Sequence, residues 1–112
     1  MIDETVIAVL RASLSDDGTV IGQLIELYTK DTPQLIADAV AALEKGDIAT
    51  LTRAAHSLKS TSASMGATTV TELARELELH AKQSDLAKAS AVLERLRPEV
   101  RGTIADLAKL KF

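Results

Sequence analysis

The sequence predicts an all-α chain: an up-down-up-down antiparallel four-helix bundle with additional short N-terminal helices. Three observations carry this. Apolar residues recur at three- and four-residue steps along most of the 112 residues, the period of a helix with one buried face. Aromatic residues are almost absent, with one Tyr and one Phe, while Ala, Leu and Val are abundant. That suits closely approaching helices better than a β-sandwich built on aromatic and β-branched pairs. The breaks between periodic stretches are short, and short connections make consecutive helices run antiparallel.

The first helix is expected from Asp3, a good N-cap, to about Ser13, with Ile2, Val6, Val9 and Leu10 inward. Ser15-Asp16-Asp17-Gly18 breaks it. A second helix spans about Thr19 to Lys30, with Val20, Leu24, Leu27 and Tyr28 on one side, and Asp31-Thr32-Pro33 marks its end or a kink. Pro33 suits the first position of a third helix running to about Lys45, with Leu35, Ile36, Ala39, Val40 and Leu43 inward and Gly46 as a left-handed C′ residue. Asp47 caps the next helix, about 48–65, whose stripe is Ile48, Leu51, Ala54, Ala55, Leu58 and Met65. Gly66 ends it in a structural role. Ala67 to Ser84 follows, with Val70, Leu73, Ala74, Leu77 and Ala81 inward. A last helix begins near Asp85 and is expected to kink or restart at Pro98, which removes one backbone hydrogen bond.

No linker, repeat or low-complexity tract divides the chain, so residues 1–112 read as one domain. The net charge of −3 and the lack of a basic run argue against nucleic acid as a partner. Cysteine is absent, which excludes disulfides, thiolate metal sites and a thiol nucleophile. No signal-peptide pattern and no apolar run near 18 residues is present, so the expected setting is cytoplasmic, with no membrane partner. A starting Met1 favours a free-standing chain over a piece of a larger kinase.

The candidate chemistry lies at Ala55-His56-Ser57-Leu58-Lys59-Ser60-Thr61. At about 100° per residue, His56 points roughly 150° from the centre of its helix's apolar stripe and therefore faces water. Thr52, Ser60 and Ala63 share its face and are all small, so a bulky partner can approach the ring. Lys59, at i+3, can reach a group attached to the imidazole. Other chemistries lack their parts. The Glu-x-x-His pattern of a di-iron bundle fails at both histidines, since Arg53 and Leu77 occupy the i−3 positions. No carboxylate is placed to orient the imidazole as a triad requires. A Gly-rich phosphate loop is missing, so the chain has no ATP-dependent kinase activity of its own. His80 sits about 70° from its helix's stripe, at the core boundary, and could share a hydrogen bond with Glu76 at i−4, a pairing more often a surface contact than a site.

These residues resemble the histidine-containing phosphotransfer (HPt) domains of multistep two-component phosphorelays. The family pattern is Ala-His, a spaced Leu-Lys, a run of small residues, and Gly-Ala about ten residues past the histidine. Here it reads Ala55-His56-Ser57-Leu58-Lys59-Ser60-Thr61-Ser62-Ala63-Ser64-Met65-Gly66-Ala67. Leu43-Glu44-Lys45-Gly46-Asp47 and Leu73-Ala74-Arg75-Glu76-Leu77-Glu78 are also similar, and the likeness runs from about Val6 through Ser84. Ser60 departs from the glycine of many members.

The resemblance implies that His56 accepts a phosphoryl group from a receiver-domain aspartyl phosphate and passes it to a second receiver. Lys59 would stabilise the phosphoryl charge. No cofactor is expected on this chain, the Mg²⁺ coming from the receiver. The implied partners are response-regulator receivers or a hybrid histidine kinase, met by a monomer. Docking would use Thr52, Ser60 and Ala63. Lys82 is a second candidate phosphate contact, and Tyr28 is read first as a core aromatic and second as a docking residue. Two rivals remain: a non-catalytic helical module that binds a receiver, and a histidine-kinase dimerisation-type domain. The second expects an acidic residue after the histidine and a proline several positions on. Ser57 follows here, with no proline between Pro33 and Pro98.

Overall fold

The computed structural model describes residues 2–14 and 19–110, and shows α1 (Glu4–Leu14), α2 (Thr19–Lys45), α3 (Ile48–Ser64), α4 (Thr68–Lys82) and α5 (Leu86–Ala108), with no strand among the described residues. Helices α2 to α5 form the core in a ring of contacts: α2 on α3, α3 on α4, α4 on α5 and α5 back on α2. Helix α1 rests against α2. The break expected at residues 15–18 and the chain end at 111–112 lie outside the described residues.

Two expected helices are one. Pro33 lies inside α2, and Pro98 inside α5 without a restart. The buried residues Ile21, Tyr28, Thr32, Ile36, Ala39 and Ala42 stay in phase across Pro33, so packing favours one continuous rod. Each proline leaves one carbonyl four residues back without its amide donor. Those carbonyls belong to Thr29 and Glu94, both on exposed positions, where water can serve them. The same buried face excludes two residues expected inward, because Val20 and Leu27 are 37% and 53% exposed. Val9 is likewise turned out, at 61%.

Three helix ends close with one device. The amide of Asp47 donates to Ala42 O at 2.9 Å, that of Ala67 to Ser62 O at 2.9 Å and that of Asp85 to His80 O at 2.9 Å. Each is the six-to-one bond of a Schellman turn, which needs a left-handed residue just before the donor. Gly46, Gly66 and Ser84 occupy those places with φ of 69°, 70° and 56°. Asp47 and Asp85 then cap the next helices, each accepting a backbone amide at 3.1 Å.

Gly66 has a second reason to lack a side chain. A Cβ there would lie 2.7 Å from Asp3 O. The Asp3 amide donates to Gly66 O at 2.6 Å, and Ile2 bridges to Ala67, so the N-terminal segment is pinned to the α3–α4 turn.

Candidate functional site

Helix α3 buries Leu51, Ala54, Ala55, Leu58 and Ser62. That face turns His56 outward, with its side chain 63% exposed. Ser60 and Ala63 are exposed beside it and Thr52 is half-buried, so the surface around the ring is low. These positions agree with the helical-wheel reading, and the geometry permits close approach by a partner.

A carboxylate that sequence reasoning missed completes the site. Glu78, on α4, lies 22 residues beyond His56, and its Oε2 sits 2.8 Å from His56 Nδ1. Its other oxygen, Oε1, accepts from Lys59 Nζ at 2.6 Å. Lys82 Nζ stands 3.8 Å from Oε2, one helical turn along α4. The expectation that no carboxylate orients the imidazole is therefore corrected: the orienting group comes from the neighbouring helix, across the α3–α4 packing. A sequence signal did exist. Glu78 stands i+4 from Ala74 and i−3 from Ala81, both buried, so it belongs to the edge of the apolar stripe, where an unpaired carboxylate is costly.

Glu78 is only 7% exposed, covered by His56, Lys59 and Lys82 near the surface of the bundle. The Lys59 hydrogen bond is the main cause that lowers its pKa below the ordinary carboxylate range. Burial opposes this, and the His56 bond and the two lysine charges add to it. An ionised carboxylate has no proton to give, so the shared hydrogen must sit on His56 Nδ1. In the neutral ring this leaves the lone pair on Nε2. Lys59, with its side chain 28% exposed, is held by Glu78 rather than extended into water.

Tyr28 is 4% exposed, and its hydroxyl lies 2.8 Å from that of Ser62. Burial raises its pKa, partly offset by the Ser62 bond. The docking alternative for Tyr28 is thereby corrected in favour of a core residue joining α2 to α3. The pairing offered for His80 also fails. Glu76 approaches Arg95 at 3.6 Å, while His80 Nδ1 is buried without a partner. Among the described residues no group of three or more His, Cys, Asp or Glu is placed to hold a metal ion. No described helix is long and apolar enough to cross a membrane.

The site is thus an exposed helical imidazole, held through Nδ1 by Glu78 and flanked by Lys59 and Lys82 on an all-helical core. The family model of the Hpt domain matches residues 23–109, and the chain belongs to that family. The crystal structure of histidine-containing phosphotransfer protein B from Pseudomonas aeruginosa PAO1 is similar at a TM-score of 0.83 and 29% sequence identity, over 98% of this chain and 96% of that one. No curated protein sequence matches the chain. The family and the shared fold make this a histidine phosphotransfer protein of a phosphorelay.

Proposed function

We propose that His56 is the phosphoacceptor, taking a phosphoryl group from the aspartyl phosphate of a receiver domain and returning it to the aspartate of another. The observation that carries this reading is the Nδ1 contact with Glu78 at 2.8 Å on a ring whose outer side is open. In the forward step the Nε2 lone pair attacks phosphorus, the Nε2–P bond forms, and the bond from phosphorus to the aspartyl oxygen breaks. Aspartate leaves as a carboxylate. The Nδ1 proton stays in place, and the positive charge that develops on the ring is stabilised by the Glu78 carboxylate. Reversal of the same path discharges the phosphohistidine.

Lys59 would exchange its Glu78 contact for the phosphoryl oxygens, with Lys82, 3.8 Å from the same carboxylate, as a second contact; their contacts with Glu78 beside His56 support this. Phosphoryl transfer depends on positioning and charge stabilisation, and the receiver supplies the Mg²⁺. Thr52, Ser60 and Ala63 form the contact surface around His56. The short α2–α3, α3–α4 and α4–α5 turns favour an up-down-up-down arrangement of the four bundle helices. The ring of helix contacts closes within one chain, which supports a monomer, and the same reading puts the carrier in the cytoplasm with its receivers.

Incubation with a receiver charged from a small-molecule phosphodonor tests the proposal. Wild type should acquire an acid-labile, alkali-stable label and His56→Gln none. Equal labelling of both proteins, or labelling of neither, would overturn it.

A further inference from the structure

Helices α2 and α5 leave between them a groove of about 510 Å³. Its floor is apolar, formed by buried Ile36 and Val100 with half-buried Val40 and Ile104 beside them. The α2 wall is low because Pro33, Ala37 and Ala41 are short. Pro33 to Glu44 mark the groove along α2 at helical spacing, a run of roughly 16 Å at 1.5 Å per residue. This is long enough to seat the i, i+3, i+4, i+7 stripe of a short helix.

The α5 rim carries Arg97 and Arg101, one turn apart and both exposed. Neither has an ion-pair partner among the described residues, although the chain as a whole is acidic. Two unpaired guanidinium groups beside an apolar trough select for carboxylates on whatever fills it. The backbone groups bordering the trough are engaged inside α2 and α5, so an extended peptide would find no sheet edge to pair with. A helix brings its own satisfied backbone. A second copy of this chain fits poorly, because a two-fold contact would set one concave face against another.

We infer that the α2/α5 groove docks an acidic amphipathic helix of a protein partner, on the side of the bundle opposite His56. The opposition follows from the ring of contacts: His56, Lys59 and Glu78 lie across α3/α4, and the groove lies across α2/α5. A helix held there leaves the imidazole open. The docked partner would thus hold the carrier close to a receiver and raise its effective concentration while phosphoryl exchange proceeds.

The test uses the full chain, isotopically labelled, and two synthetic helical peptides that share a leucine stripe at i, i+3, i+4, i+7. One carries glutamates beside the stripe and its twin carries lysines. The acidic peptide should bind with chemical-shift changes confined to α2 and α5. The double variant Arg97→Glu/Arg101→Glu should weaken that binding by about tenfold or more and prefer the lysine twin. Ala37→Gln, which narrows the groove without changing charge, should weaken both. Phosphotransfer to His56 should continue with the acidic peptide bound. Equal affinity for the two peptides, no binding of the acidic one, shifts centred on His56, or an unaffected double variant would each overturn the inference. So would a dimer in sedimentation that the double variant dissolves, which would assign the groove to a second copy.

Discussion

His56 and His80 occupy consecutive helices, and a glutamate is available to each. For His80 the candidate is local, Glu76 one turn earlier on α4, yet that carboxylate turns to Arg95 of α5 at 3.6 Å and leaves His80 Nδ1 buried and unpaired. For His56 the glutamate is remote in sequence but reaches Nδ1 at 2.8 Å. One ring is thus exposed with a carboxylate on its Nδ1, while the other is half-buried with no partner on Nδ1. The difference shows that neighbourhood on one helix is a weak guide to a histidine's chemistry. What counts is a carboxylate fixed on a packed neighbour, whose position is set by the core rather than by its own rotamers.

The sharpest way to break this comparison is to exchange the fates of the two histidines. His56→Gln should lose acid-labile phosphorylation down to background, and His80→Gln should keep it at the wild-type rate. Labelling that instead followed His80 would invert the assignment.

Glu78 comes next, because it holds both the ring and Lys59. Glu78→Ala should slow transfer from a phosphorylated receiver by roughly a hundredfold, the scale of a misplaced reacting group. Glu78→Gln should recover part of that loss, since an amide oxygen still accepts from Nδ1–H while the negative charge is gone. Long-range ¹H–¹⁵N spectra provide an independent reading. Removal of Glu78 should raise the population of the Nε2–H tautomer of His56 and leave His80 unchanged. A single unchanged tautomer at His56 would remove Glu78 as the positioning residue.

A smaller effect is expected at Lys59. Lys59→Ala should slow transfer about tenfold with helix content intact, less than a typical loss of a fixed donor because the receiver brings its own cation. An unaltered rate in single-turnover measurements would take Lys59 out of the reaction.

The smallest effect is on stability. The folded pKa of Glu78 is lowered, chiefly by Lys59, so the folded state binds its proton less readily than the unfolded state does. The stabilisation is therefore present above the unfolded glutamate value, about 4.3, and is lost as pH falls through the lower folded value. Urea midpoints should drop more steeply for wild type than for Glu78→Gln between pH 5 and the acid limit. Parallel curves would show that the pairing adds nothing to the fold.

Much of the architecture was legible along the chain. Asp47 and Asp85 announced the starts of α3 and α5, and Gly46 and Gly66 the ends of α2 and α3, because caps and left-handed turns depend on residues a few positions apart. The outward aspect of His56 followed from its phase against Leu51, Ala54, Ala55 and Leu58. The prolines misled as signs of a helix end or restart. At Pro33 and Pro98 the local cost of one lost hydrogen bond was outweighed by burial that stayed in phase on both sides, a balance that local reading cannot strike. Val9, Val20 and Leu27 misled in the same direction, because apolar character at roughly helical spacing does not say which of two adjacent stripes the neighbouring helix covers.

By itself the sequence determined the helical class, the turn chemistry and an accessible histidine with a lysine one turn on, since each depends on side chains within about one turn of one another. Only the tertiary structure decided that Glu78 stands between His56 and Lys59, that Tyr28 meets Ser62 in the core, and that α2 and α5 stay continuous. Those outcomes come from how helices pack, and packing brings together residues whose separation along the chain carries no periodic mark.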